Sequence, residues 1–164
     1  MGRTREPKNP KTCHERALGL LAVRPRSRHE MEVRLLRAGF DQGEVDDVLG
    51  RLERARLLDD EQFARDLAQQ AFDVRRSGQR AVASALFAKG VSRETVEEVT
   101  AGYADGDPAR ALELAEARAV RMADLDPSKA YRRLTELLMR RGHSPSVARQ
   151  AAGRALGRDE STPS

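Results

Sequence analysis

The chain has 164 residues, 34% of them charged and only 4% aromatic, with no Trp and a formal net charge of +4 at pH 7. That length allows one domain or a few small modules, and the composition argues against one large aromatic core in favour of helices with narrow stripes of Leu, Val and Ala. The longest apolar run, 17–23 with Gly19 inside it, falls far short of the roughly 20 residues of a membrane span, no apolar signal-peptide core follows the charged N-terminus, and the single Cys13 excludes an internal disulfide and fits a reducing cytoplasm.

Residues 1–13 are basic, proline-containing and almost devoid of apolar side chains, so a disordered tail is expected there. The first helix is expected over Glu15–Val23 and is broken by Arg24-Pro25-Arg26-Ser27. Ser27 with Glu30 three residues on is a capping box that opens the second helix. Val45, Val48, Leu49 and Leu52 follow one helical face and define the third. Further helices are expected near Glu61–Asp73, Ser77–Lys89 and Arg93–Tyr103, then near Pro108–Ala123, Pro127–Arg141 and Pro145–Leu156. Asp107-Pro108 and Asp126-Pro127 both read as an N-cap followed by Pro at the first helical position. No segment alternates strictly with β-branched residues, so no sheet is expected. The organisation predicted is a tail (1–13), three helical repeats (14–56, 57–105 and 106–157) and a second disordered tail (158–164), the repeats stacked in tandem.

One corner recurs in all three repeats. LLRAGFDQGEVDDV at 35–48 is nearly copied by LFAKGVSRETVEEV at 86–99 and more faintly by LMRRGHSPSVARQA at 138–151. Gly39, Gly90 and Gly142 stand where a helix ends and a left-handed residue is wanted, because glycine has no Cβ to clash there. Asp41, Ser92 and Ser144 follow two residues later as N-caps. Asp41 has Glu44 three positions on, a second capping box, and Pro145 suits the first helical position. Phe40 and Val91 precede their caps and are placed to staple onto Val45 and Val96; His143 occupies the third such position.

Enzyme chemistry finds no support in these patterns. His14, His29 and His143 fall in three different segments, and no spacing matches a metal site. Cys13-His14 reads as a helix start. Asp59-Asp60-Glu61 reads as a helix N-cap with first-turn acids favoured by the macrodipole. Ser27, Ser77 and Ser128 read as caps or first-turn residues, and no glycine-rich phosphate loop is present. No cofactor and no metal are expected.

Charge is placed unevenly. The middle helix of each repeat, with its lead-in, is basic: net +3 over 24–37, +4 over 75–89 and +4 over 128–141. The helix after the corner is acidic in the first two repeats, net −3 over 41–54 and −2 over 92–104. Stacked in register, the middle helices would form a basic stripe able to track phosphates or an acidic protein groove. Its candidate partner-binding residues are Arg24, Arg26, Arg28 and Arg37 in the first repeat, Arg75, Arg76, Arg80 and Lys89 in the second, and Arg132, Arg133, Arg140 and Arg141 in the third. Base readout is not expected, because aromatic rings for stacking are scarce.

Residues 56–99, RLLDDEQFARDLAQQAFDVRRSGQRAVASALFAKGVSRETVEEV, resemble the signature region of RecX, the bacterial regulator of the RecA recombinase. The matching positions are Leu58, Asp59, Asp60, Phe63 and Ala64, then Gly78, Leu86, Lys89, Gly90 and Val91. The stretch from Ala17, with its turn at Arg24–Ser27, resembles the family's opening segment, and the likeness covers roughly residues 14–157. Ala38 departs from the usual basic residue before the first corner glycine, and the third repeat is the least faithful.

The resemblance implies an all-α molecule of three tandem three-helix repeats in an elongated, curved arrangement. It implies a monomeric, non-catalytic, cytoplasmic regulator acting in DNA repair and the SOS response. Such a protein binds along the RecA–DNA filament, meets single- or double-stranded DNA weakly or through that filament, and limits RecA's recombinase and ATPase activities. Two other readings of the residues stay open: an autonomous DNA-binding helical protein, against which the acidic post-corner helices count, and a helical scaffold for an unrelated partner.

Overall fold

The computed structural model describes residues 11–158, and among these the chain is all α, with nine α-helices and no strand. In chain order they are α1 (Cys13–Val23), α2 (Arg28–Arg37), α3 (Gln42–Arg54), α4 (Asp60–Gln69), α5 (Gln79–Ala88), α6 (Arg93–Ala101), α7 (Asp107–Ala119), α8 (Pro127–Arg140) and α9 (Pro145–Ala155). Each successive trio forms one of three tandem three-helix domains. The tails expected over 1–13 and 158–164 lie outside the described residues, except for 11–13 and Arg158. At 12–13 the expectation is corrected. Thr12 caps α1 by accepting from the Glu15 N–H at 3.2 Å while its own N–H donates to Glu15 at 2.9 Å. Cys13 is buried in the core.

The three corners are built alike. The N–H of Gly39, Gly90 and Gly142 donates to the carbonyl of Leu36, Phe87 and Met139, at 3.0, 2.9 and 3.0 Å. The next N–H, of Phe40, Val91 and His143, reaches back to Leu35, Leu86 and Leu138 at 3.4, 3.2 and 3.2 Å. This paired pattern satisfies the orphan carbonyls at the end of a helix, and it needs a left-handed residue at its centre. The three glycines have φ of 96°, 73° and 93°. Asp41, Ser92 and Ser144 then cap α3, α6 and α9 by accepting from the N–H three residues on. Asp41 makes only its half of the expected capping box, because Glu44 does not return a bond.

The chain divides into two compact units, Met1–Phe63 and Ala64–Ser164. In the first, Met31, Leu35, Val45, Leu49 and Leu52 are fully buried with Cys13 and Ala17, and Phe40 packs against them. Burying one such large aliphatic chain stabilises by about 1.5–3 kcal/mol. Leu58, Asp59 and Asp60 have three separate structural tasks. Leu58 fills this core. Asp59 caps α4 by accepting from the Gln62 N–H at 2.9 Å. Asp60 accepts the Arg28 N–H at 2.7 Å and so closes the first turn of α2.

The second unit centres on Phe72, its largest fully buried side chain, stacked on Tyr103 with ring centroids 4.2 Å apart. The Arg110 guanidinium lies 4.7 Å from the Phe72 ring centre and donates to the Tyr103 carbonyl at 2.6 Å. The helix expected over Glu61–Asp73 ends at Gln69 and passes into a π-helical turn over Gln70–Val74. Ser77 is not a cap: Gly78 holds that position ahead of α5 with no side-chain bond. Asp107 is not a cap either. Gly106 precedes α7, and the Asp107 carboxylate turns inward. Leu134 and Leu138 of α8 pack with Ala111 and Ala115 of α7 and Ala148 and Ala152 of α9.

One contact joins the second and third domains through bare backbone. The Gly78 N–H donates to the Arg141 carbonyl at 2.7 Å, and the Arg80 N–H to the Gly142 carbonyl at 3.2 Å. The positive end of α5 thus meets the last carbonyls of α8, a favourable alignment of helix dipoles. Glycine is required for this approach. A Cβ on Gly78 would stand 2.3 Å from the Gly142 carbonyl carbon, and one on Gly142 would stand 2.4 Å from the Ala81 Cβ.

Candidate interaction surface

The twelve basic candidates separate once their neighbours are known. In the first unit, Arg24 is ion-paired to Glu30 at 3.0 Å. Arg26 is buried, 7% exposed, with its Nε donating to the Leu20 carbonyl at 3.2 Å. That places it under the end of α1 rather than on a partner-facing surface, a correction to its expected role. Burial works against its charge, as do Arg24 and Arg34 nearby. Arg28 pairs with Glu53 at 2.9 Å and lies 3.8 Å from Asp46. Only Arg37 of these four is both exposed and outside any ion pair among the described residues.

In the second unit, Arg76 holds a left-handed conformation, φ 53°, and its guanidinium pairs with Glu113 at 2.5 Å. Arg141 donates to the Arg75 carbonyl at 3.2 Å. Lys89 is half-buried at the end of α5. Arg75, Arg80, Arg132, Arg133 and Arg140 are exposed and form no ion pair among the described residues. The Gly78–Arg141 and Arg80–Gly142 bonds bring the start of the second basic segment against the end of the third.

Two features escaped sequence reasoning. Phe87 and Met139 are 48% and 45% exposed, each three residues before a corner glycine on a basic middle helix. Their counterpart Leu36 packs against the first core. Aligning the repeats by position rather than by pattern would have exposed this pair. The other is His143, 1% exposed, whose Nδ1 lies 3.1 Å from Asp107 and Nε2 3.0 Å from the Arg76 carbonyl. The signal was a polar side chain at a corner position that is apolar in the other two copies. Buried polar groups take hydrogen-bond partners.

No cluster of three or more His, Cys, Asp or Glu among the described residues has the geometry to hold a metal ion. Burial, then the negative charges of Glu44 and Asp41, push the Cys13 thiol up, away from the reactive thiolate. No helix among the described residues is long and apolar enough to cross a membrane.

The family models for the RecX first, second and third three-helix domains match residues 13–52, 59–99 and 105–152. The chain belongs to the RecX family. Among relatives, the regulatory protein RecX of Mycobacterium sp. (strain JLS) is 35% identical over 149 residues, covering 87% of this chain and 81% of that protein. That of Mycobacterium ulcerans (strain Agy99) is 34% identical over 148 residues, covering 88% and 85%. The crystal structure of RecX from Lactobacillus salivarius superposes with a TM-score of 0.77 at 19% identity, covering 87% of this chain and 94% of that one. A second crystal structure of a regulatory protein RecX gives 0.76 at 18% identity, covering 85% and 70%. The RecX fold therefore holds across wide sequence divergence.

Proposed function

We propose that this chain is a non-enzymatic, cytoplasmic, monomeric regulator that binds the RecA–DNA filament and restrains RecA's recombinase and ATPase activities in DNA repair and the SOS response. DNA is met weakly or through the filament. Beyond RecX family membership, the observation that carries this reading is a set of exposed cations on two middle helices of the second unit. Arg80 on α5 and Arg132, Arg133 and Arg140 on α8 are exposed cations with no ion-pair partner among the described residues, and the corner contact joins their helices. Phe87 follows Arg80 by seven residues on α5 and Met139 follows Arg132 by seven on α8, so each helix carries an exposed apolar side chain in line with a cation. Charge of this kind accelerates encounter with an acidic surface, while apolar anchors in the contact slow departure.

The test is RecA's DNA-dependent ATPase with this protein added. Changing Arg132 and Arg133 to Glu should weaken suppression by about tenfold or more. Arg93→Glu, on the acidic helix α6, should matter little. Equal loss from both changes would reduce the effect to net charge, and no loss from either would move the contact elsewhere. Tight binding to DNA without RecA would favour an autonomous DNA-binding protein.

A further inference from the structure

The first domain carries a cleft of about 420 Å³ between α1 and α2. Its basic side chains are Arg16 from α1 and His29, Arg34 and Arg37 from α2. All four are exposed, and none of these side chains forms an ion pair or hydrogen bond among the described residues. The carboxylate that lines the cleft, Glu30, is already engaged: Arg24 holds it at 3.0 Å, and the Ser27 N–H donates to it at 3.3 Å. Beneath lies further positive charge, because Arg26 bonds the carbonyl of Leu20, itself a lining residue, and its Nη1 is buried without a partner. The cleft is thus a concentration of cations with no free anion of its own.

Between these charges the lining is aliphatic, formed by Leu20, Val33 and Ala38. This mixture discriminates between ligands. A sugar–phosphate backbone would satisfy the cations but leave the hydrocarbon uncovered, and no Phe, Tyr or Trp lines the cleft to stack a base. An acidic peptide with an aliphatic residue complements both. Arginine takes carboxylates through paired, charge-assisted hydrogen bonds, while the aliphatic side chain would remove Leu20 and Val33 from water.

We propose that this cleft is a docking site for an acidic peptide segment of a protein partner. One aliphatic side chain of the peptide sits on Leu20 and Val33, and its carboxylates are taken by Arg16, Arg34 and Arg37. The site is separate in sequence from the exposed cations of α5 and α8 and does not depend on the RecA reading.

A fluorescein-labelled decapeptide of glutamate and aspartate with two central leucines is the probe, titrated against the full chain by fluorescence polarisation. Saturable binding is expected, with methyl resonances of Leu20 and Val33 shifting along the titration. Arg34→Glu with Arg37→Glu on α2, and Arg16→Glu separately on α1, should each weaken it by about tenfold. Because the two variants alter different helices, loss in both with unchanged melting excludes unfolding as the cause. If one variant misfolds, the other still decides. Arg51→Glu on α3 is the control and should change binding little. Absence of saturable binding would overturn the proposal. So would equal affinity for an all-acidic peptide without leucines, or tighter, cleft-dependent binding of a single-stranded oligonucleotide, which would assign the cleft to phosphates.

Discussion

His143 bridges two domains: its Nδ1 lies 3.1 Å from the Asp107 carboxylate of α7, and its Nε2 lies 3.0 Å from the carbonyl of Arg76. Both partners are acceptors, so each ring nitrogen is placed to donate to an oxygen. His143→Leu would put an apolar residue where the second domain has Val91, but strand the Arg76 carbonyl and remove one partner of Asp107. The expected cost is about 2–4 kcal/mol. Urea denaturation of the variant, followed by circular dichroism, measures it; a loss below about 1 kcal/mol would mean that apolar filling compensates for the broken bonds.

One buried and one half-buried aspartate, Asp107 and Asp60, should respond to acid in opposite senses. Burial alone would raise Asp107, but the hydrogen bond and charge of His143 and the charge of Arg110 outweigh it and hold the carboxyl below the ordinary range. Its stabilisation is therefore present above the ordinary carboxylate range and is lost as pH falls through the lower, folded value. Asp60 is shifted up, chiefly by burial and against the bond from the Arg28 N–H. Its ionised form costs stability above the raised value, and acid relieves that cost. Asp107→Asn should lower stability at neutral pH and flatten its decline in acid. Asp60→Asn, which keeps an acceptor for Arg28, should leave neutral stability unchanged or higher. Stability curves against pH for the two variants decide the matter.

The glycines sort by cause. Gly90 has φ 73°, so Gly90→Val should cost more than about 1 kcal/mol through backbone strain. Gly78 has an ordinary φ of −82° but no room for a Cβ, so Gly78→Ala should cost at least about 1–3 kcal/mol by forcing α5 off the α8 corner. Gly19, inside α1 with nothing within 4 Å of a built Cβ, is the counterexample. Gly19→Ala should stabilise by about 0.5–1 kcal/mol. Melting of the three variants tests the ranking.

Arg76→Glu should lower stability rather than act as a silent surface change. It would set a carboxylate against Glu113 where an ion pair stands now, at a residue already held left-handed. A melting point equal to that of the parent would show that the pair contributes nothing.

The corners were legible in the sequence because the glycine that ends one helix and the cap that opens the next bond only within a few residues. The same holds for the Ser27–Glu30 box. The charges were less legible because their partners are distant in the chain. Arg76 finds Glu113 and Arg28 finds Glu53 only after the helices have packed, so a count of cations along a segment overstated what remains at the surface. Asp107 illustrates the conflict most sharply. Its place before Pro108 favours capping on local grounds, yet the buried ring of His143 drew its carboxylate inward. The π-turn at Gln70–Val74 has no local signature of its own; there the chain places Ala71 and Phe72 inside before the Ser77 N–H turns back to the Ala71 carbonyl at 2.9 Å.

The backbone meeting of Gly78 and Gly142 also bears on modularity. Three domains of one design suggest parts that can be traded between relatives. The second and third cannot be traded singly, because each presents a bare surface that only a matching bare surface on the other can accept. A chimera that brings in a third domain must bring the compatible lead-in to α5 with it, and a large side chain at either glycine would make the graft incompatible however well each half folds.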